Sequence, residues 1–381
     1  MNIPFHKPYI TDEEINEVID SLKNGWLTMG NKTVKFEKVF QKYIGSKYSI
    51  AVNSCTAALH IALRVIGLKE GDEVLLPAMT FVATAEVVTY FKAIPVYVDV
   101  EKETHLMSIN DLERKITSKS KVIIPVHYAG QPADMDEIKE IAQKHGLFVI
   151  EDAAHSLPAW YKNKKIGTIG DITAFSFYVT KPLSTGEGGM ITTDNEQWAE
   201  EMKLLRLHGM SRDAWKRYSG GSWRYDVVVN GYKYNTTDIN AALGIAQLKK
   251  LEYMWRKREY IANRYNEAFS DYEELITYTV KKDRTTSWHL YPIKLNLEAL
   301  KISRDEFIER LRERGIHTSV HFIPLYKFKF YKRYRRDNEN FPNSEWIFKR
   351  VLSLPIYPSM TEEEIDYVID NVIDLVKKFR R

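Results

Sequence analysis

The sequence predicts an α/β protein, with a mainly parallel seven-stranded sheet covered by helices and a smaller C-terminal α+β domain. Three observations lead there. Apolar, β-branched runs alternate with helical patterns through the first half of the chain, as expected when parallel strands are joined by crossover helices. One run ends at Asp152 and a later one shortly before Lys181, which places both side chains at the carboxyl edge of one sheet, where α/β proteins bind ligands. A long, charged, amphipathic run from Lys249 to Phe269 then bridges to a second region.

In chain order, Thr11-Asp12-Glu13-Glu14 is a capping box that opens a helix running toward Asn24. Tyr48–Val52 reads as the first strand, and Asn53 to Leu63 as a turn opening an apolar helix that stops by Gly67. Further strands are read at Glu73–Leu76, Pro95–Val98, Val122–Val126, Leu147–Glu151, Ile172–Phe177 and Gly189–Thr193, with Gly146 closing the helix before Leu147. At 381 residues the chain is long for one domain. The division read is a large domain, 1–249, and a small one, 250–381, with no internal repeat and no disordered linker.

Composition narrows the function classes. Lys and Arg number 55 against 51 Asp and Glu, a net +4, too balanced to argue by itself for a nucleic-acid binder. The segment 327–336 interleaves basic and aromatic residues, and suits a solvated helix face, a pyrophosphate contact or a single-stranded nucleic-acid surface. The single cysteine, Cys55, excludes an internal disulfide framework and fits a reducing compartment. With no base legible near it, Cys55 reads as a small loop residue rather than a nucleophile. Met1–Lys7 lacks the apolar core of a signal peptide. Val74 to Phe91 is interrupted by Pro77 and Glu86 and falls short of the roughly 20 residues a membrane helix needs. The expectation is a soluble, cytoplasmic protein with no metal site and with neither nucleic acid nor membrane as a partner.

Lys181 follows an apolar run and precedes a Gly-rich turn ending Gly186-Glu187-Gly188-Gly189, a position from which a lysine can form a Schiff base. Asp152 stands at the end of another run, with His155 three residues on. Pyridoxal 5'-phosphate needs these groups: an amine to attack its aldehyde, and a carboxylate to keep its ring nitrogen protonated so that the ring accepts electrons. It also needs a phosphate cradle. The helix opening at Ser54-Cys55-Thr56-Ala57 supplies unpaired N–H groups at the positive end of a helix dipole. Each residue also has a plainer reading: a surface charge for Lys181, a helix cap for Asp152, a packed imidazole for His155.

The chain resembles the DegT/DnrJ/StrS-type nucleotide-sugar aminotransferases, a branch of the fold-type-I pyridoxal phosphate enzymes. The match is collinear: Gly25-Trp26-Leu27-Thr28-Met29-Gly30, Pro77 to Thr84, Pro125 to Met135, Gly231 to Ala242, Trp288-His289-Leu290-Tyr291 and Val320 to Tyr326. The resemblance implies that Lys181 holds the cofactor and moves the substrate proton, that Asp152 pairs with the ring nitrogen, and that His155 sits by the phenolic oxygen. It implies that Phe81 stacks on the ring and that Ser176, Thr56 and the Ala57 backbone reach the phosphate. Thr28, Glu187 and His321 become substrate candidates, although Glu187 also suits a turn cap. After the aromatic, Gly-rich stretch Tyr218 to Tyr232, the loop carrying Lys233 and Asn235 is implied to cross a homodimer interface to the partner's phosphate.

Two positions depart from many relatives. Cys55 replaces a glycine, and Gly-Tyr-Lys-Tyr-Asn at 231–235 replaces Gly-Tyr-Asn-Tyr-Arg. Lys233 keeps a cation and Asn235 a donor, so the two roles can exchange. The implied activity is transfer of an amino group from L-glutamate to a keto group of a nucleotide-linked sugar for polysaccharide biosynthesis, with a lean to C4 of a UDP-linked 4-keto sugar. A sugar dehydratase of the same family is the first alternative, and there a histidine typically replaces the lysine. A non-catalytic regulatory protein on the same fold is the second.

Overall fold

The computed structural model describes residues 1–211 and 225–381. Of the stretch Tyr218 to Tyr232, the part from Tyr218 to Arg224 lies outside the described residues. The chain opens with α1 (Asp12–Lys23) and α2 (Asn31–Ile44). At the start of α1 the Thr11 N–H donates to Glu14 Oε2 at 2.8 Å, which realises the capping box. Then follow β1 (Tyr48–Val52), α3 (Cys55–Val65), β2 (Glu73–Pro77), α4 (Val82–Thr89), β3 (Ile94–Val98), α5 (Ile109–Lys115) and β4 (Ser120–Ile123). After these come α6 (Met135–His145), β5 (Phe148–Asp152), the short pair β6 (Trp160–Tyr161) and β7 (Lys164–Lys165), then β8 (Ile172–Ser176), β9 (Gly189–Thr193) and α7 (Glu196–Leu205).

Seven of these strands form one sheet in the order β1-β9-β8-β5-β4-β2-β3. Only β9 runs against its neighbours; the other pairings are parallel. Strand periodicity divides the apolar residues between two cores. Ile50, Val52, Val74, Leu76 and Tyr97 pack on one face, and Ala51, Leu75, Val96 and Val98 on the other. Burial on both faces explains why these strands read as continuous apolar runs.

The rest of the described chain adds α8 (Asp238–Lys249), α9 (Leu251–Phe269), β10 (Leu275–Ile276), β11 (Arg284–Thr285), β12 (Tyr291–Leu295) and α10 (Arg304–Glu313). It closes with α11 (Pro342–Phe348), β13 (Val351–Leu354) and α12 (Glu362–Phe379). Strands β10, β12 and β13 make a second, antiparallel sheet packed in a third core with residues of α9 and α12. Strand β11 instead pairs with β6, so the carboxy-terminal region is stitched back onto the first.

Three expectations are corrected. The strand read at Val122–Val126 ends at Ile123, because Pro125 has no N–H for the ladder; Val126 keeps a single bridge to Asp152. The helix read from Lys249 begins at Leu251. Lys250 leaves helical geometry at φ −111° and donates from Nζ to Thr11 Oγ1 and Glu14 Oε2, both at 2.6 Å. The basic-aromatic segment is not a helix face but two short 3-10 turns, Leu325–Lys327 and Tyr331–Tyr334. Part of its charge is already paired, Lys327 with Glu345 at 2.9 Å and Arg336 with Glu73 at 2.7 Å. Among the described residues no helix is long and apolar enough to cross a membrane, and no group of His, Cys, Asp and Glu could hold a metal.

Candidate active site

The carboxyl ends of β5 and β8 and the amino end of α3 converge on a cavity of about 630 Å³. Strand alternation sends the two acids at the end of β5 to different surroundings. Glu151 accepts from Gly170 N, Thr173 Oγ1 and His127 Nε2 at 2.7–2.9 Å, away from the cavity. His127 Nδ1 accepts from Ala133 N at 3.0 Å, which leaves Nε2 as the protonated, donating nitrogen. Asp152 lines the cavity. Its Oδ2 accepts from Thr84 Oγ1 at 2.9 Å and its Oδ1 from Ala154 N at 3.1 Å. Burial pushes this carboxyl above its ordinary value, and two hydrogen bonds and the Lys181 charge offset only part of that. No helix follows Asp152, so the cap role reduces to one hydrogen bond in a turn.

Lys181 lies in the turn between β8 and β9, its N–H bonded to the Tyr178 carbonyl at 2.9 Å. Burial lowers its amine to about 8, against the opposing pull of Cys55 and Asp152. Cys55 is itself no nucleophile here: burial raises its thiol, which donates weakly to the Ala174 carbonyl at 3.6 Å.

Ser54 caps α3 by accepting from Ala57 N at 3.1 Å. The Ala57 amide is therefore engaged, and the amides of Cys55 and Thr56, which no intrahelical carbonyl can reach, stand at the helix tip. Only glycine fits opposite: a Cβ on Gly189 would stand 2.6 Å from the Ser54 carbonyl and 2.8 Å from Cys55 N. Thr56 and Ser176 line the same cavity. Phe81 also lines it and is 58% exposed, an aromatic face left open beside Phe322. His155 stacks on Phe322 at 5.8 Å and meets His289 at 4.5 Å, while its Nδ1 is buried without a partner. Burial, and then Lys181 and His321, hold His155 well below its ordinary value, so it is neutral.

Glu187 and His321 line the cavity; Thr28, Lys233 and Asn235 do not. Thr28 is exposed, and its carbonyl accepts from Asp238 N at 3.0 Å. The segment Tyr232 to Asn235 alternates. The rings of Tyr232 and Tyr234 stack on each other at 5.0 Å and pack on His60, whose Nδ1 lies 3.0 Å from the Tyr234 hydroxyl. Lys233 is exposed, and its Nζ donates to Asn235 Oδ1 at 2.6 Å.

Sequence reasoning gave no role to Thr84, His289, Phe322 or Phe5, all of which line the cavity. Thr84, His289 and Phe322 fall inside the collinear motifs, so a signal was present; Phe5 comes from a segment with no local pattern.

The residues fit pyridoxal phosphate on physical grounds. They offer a buried carboxylate short of positive charge, an amine of lowered pKa, two free helix-tip amides, an open aromatic face and an unpartnered imidazole nitrogen. Fold and site together define a pyridoxal phosphate-dependent sugar aminotransferase of fold type I. The DegT/DnrJ/EryC1/StrS aminotransferase family model matches residues 8–373, and the chain belongs to that family. A spore coat polysaccharide biosynthesis protein of Bacillus subtilis, SpsC, is 47% identical over 378 residues, 98% of this chain and 97% of that one. An uncharacterized protein of Methanocaldococcus jannaschii is 54% identical over 380 residues, 99% of this chain and 98% of that one. Among solved structures, Spr1654 of Streptococcus pneumoniae, assigned as a sugar aminotransferase, matches in its pyridoxal phosphate form with TM-score 0.93 at 35% identity, covering 99% of each chain. PseC of Helicobacter pylori, an aminotransferase of pseudoaminic acid biosynthesis, matches with TM-score 0.93 at 27% identity over 100% of both chains.

Proposed function

We propose that this protein moves the amino group of L-glutamate to a keto carbon of a nucleotide-linked sugar, with C4 of a UDP-linked 4-keto sugar as the acceptor position. The observation that carries this reading is the Lys181 amine, lowered to about 8 and facing the same cavity as the buried Asp152. A bound pyridoxal phosphate supplies an electron sink for the charge that develops when a substrate carbon loses its proton. Lys181 Nζ is populated in both protonation states near neutral pH, so it can remove that proton in one half-reaction and deliver one in the other. Asp152, held by Thr84 and Ala154, keeps positive charge on the ring nitrogen in surroundings that screen it poorly. Phe81 and Phe322 exclude water from the reacting face. Donor and acceptor use one site in turn, which gives ping-pong kinetics.

The lysine at 181 argues against the dehydratase alternative, in which histidine typically stands there. A regulatory protein would have no need to gather Lys181, Asp152 and the tip of α3 around one cavity. The names of the Bacillus and Helicobacter relatives support a product destined for glycan synthesis, and the balanced charge and single cysteine support a cytoplasmic place of work. The same reading makes the protein a homodimer, each chain divided into domains 1–249 and 250–381, with Lys233 and Asn235 offered to the partner. In support, α1 exposes Ile15, Ile19 and Leu22 at helical spacing, an apolar stripe suited to a second copy. The decisive experiment incubates the purified holoenzyme with glutamate and a panel of UDP- and dTDP-linked 3-keto and 4-keto sugars, with mass detection of the amino product. Amination of a UDP-4-keto sugar alone meets the full proposal. Amination elsewhere moves the ring carbon or nucleotide, and no amination of any keto sugar rejects it.

A further inference from the structure

The first residues of the chain are not a loose end. Ile3 is buried, its N–H bonded to the Gly315 carbonyl at 2.7 Å and its carbonyl accepting from His317 N at 3.0 Å. Termini lacking such ties are usually poorly ordered. The anchored arm carries Phe5 into the cavity wall, where its ring lies on the imidazole of His321 with centroids 5.6 Å apart and planes 25° from parallel. The second edge of that imidazole is also fixed, since His321 Nδ1 lies 2.9 Å from Ser353 Oγ on β13. Phe322 meets it edge-on at 5.0 Å and 87°. One ring nitrogen is thereby committed to Ser353 and one ring face to Phe5, and Nε2 is left for the cavity. Burial, and then Lys181, lower His321 to about 3, so the ring presents a single uncharged hydrogen-bonding atom. Such an atom suits a neutral oxygen, the ketone or a hydroxyl of a sugar, better than a carboxylate, which a cation would hold.

We propose that Phe5 and Ser353 are positioning residues that fix the His321 imidazole so that its Nε2 selects the neutral sugar oxygens of the amino acceptor. The inference rests on the acceptor being a keto sugar. Its consequence is an asymmetry between the two half-reactions. Loosening His321 weakens recognition of the acceptor more than recognition of glutamate, because two carboxylates dominate the charge of the donor.

The test uses full-length Phe5→Ala, Phe5→Tyr and Ser353→Ala holoenzymes, each checked for retained cofactor absorbance and thermal melting close to the parent. The expected result is an acceptor KM raised at least tenfold more than the glutamate KM in Phe5→Ala and Ser353→Ala, with most of the loss recovered in Phe5→Tyr, which keeps the stacked ring. Equal losses in both substrates overturn the proposal and reduce the arm to a general tie. A second measurement needs no substrate: ¹⁵N-histidine spectra of the cofactor-free protein. There, Ser353→Ala should shift His321 from one dominant tautomer to a mixture, and Phe5→Ala should remove the ring-current shift on its protons. Unchanged His321 signals overturn the positioning role whatever the enzyme aminates. Changed signals in a protein inactive on every keto sugar fault the acceptor assignment and leave the positioning role standing.

Discussion

At the scale of single residues, Asp152 and Lys181 make opposed demands on the same buried space. The carboxyl is pushed up and the amine down, both first by burial, so the surroundings oppose the charged form of each. Replacing Asp152 by Asn keeps the shape and the Thr84 contact but removes the charge that holds the ring nitrogen protonated. The expected outcome is a fall in kcat of at least ~100-fold with cofactor still bound, each ~1.4 kcal/mol of barrier being a factor of ten. A loss below threefold in single-turnover assays would reduce Asp152 to a turn residue. The lysine makes a separate prediction about stability. Unfolded, its amine titrates near 10.5; folded and free of cofactor, near 8. Between those values the unfolded chain binds a proton that the folded one lacks, so this group makes stability rise with pH across that window, and below about 8 its full penalty stands. Cofactor-free Lys181→Met should therefore melt higher than the parent at pH 7, by on the order of a few degrees. The gain should shrink as pH climbs from about 8 toward 10.5. A pH-independent difference in calorimetry would refute the lowered amine.

At the scale of elements, the helix tip of α3 is the part of the site built from backbone. Ser54 spends its side chain on Ala57 N, which fixes the first turn and leaves Cys55 and Thr56 amides free for an anion. Ser54→Ala is expected to cost ~1 kcal/mol of stability. It should also raise the dissociation constant for pyridoxal phosphate several-fold, read by fluorescence titration of the cofactor-free protein; unaltered affinity would show that this helix tip does not hold the phosphate. The elements around it were legible to different degrees for physical reasons. Strands β1 and β9 matched their sequence boundaries because turn residues bracket them, Gly45-Ser46 and Asn53-Ser54 around β1, Gly186 and Gly188 before β9 and Asp194-Asn195 after it. Strand β4 did not, because the apolar residues run through Pro125 and the ladder cannot. The place of Asp152 and Lys181 at one sheet edge follows from strand endings, whereas the roles expected of them come from the family resemblance. Phe5 and Ser353 could not be read that way: they reach His321 from positions 316 and 32 residues away in sequence, and no local periodicity encodes such a meeting. Gln131, within a quoted motif, proves to be a tie instead, bonding the Tyr278 hydroxyl at 2.8 Å and the Thr279 carbonyl at 3.0 Å.

At the scale of the whole molecule, the proposal of a site shared between two chains rests on where one chain holds its Lys233 loop. Tyr232 and Tyr234 are turned inward onto His60, and their backbone is bonded to Leu205, Arg206, His208 and Asn53, so the segment cannot swing Lys233 into its own cavity without breaking those ties. Held this way, Lys233 and Asn235 face outward as a linked pair. In a twofold dimer the same patch is used twice, so each outward pair can complete the site of the other chain. Complementation tests this directly. A Lys181→Ala chain lacks the amine but carries an intact loop, and a Lys233→Ala, Asn235→Ala chain carries the amine but lacks the loop. Each parent alone should be inactive or nearly so. In a hybrid dimer one site collects both defects and the other collects none, so mixing the parents under conditions of verified subunit exchange should restore activity. At full statistical mixing half of the dimers are hybrids with one working site each, about a quarter of the sites of the unsubstituted enzyme. Restoration near that level, measured as amino-sugar product per subunit, supports the shared site. A mixture that stays inactive although exchange is demonstrated by mass spectrometry would mean that the loop serves only its own chain.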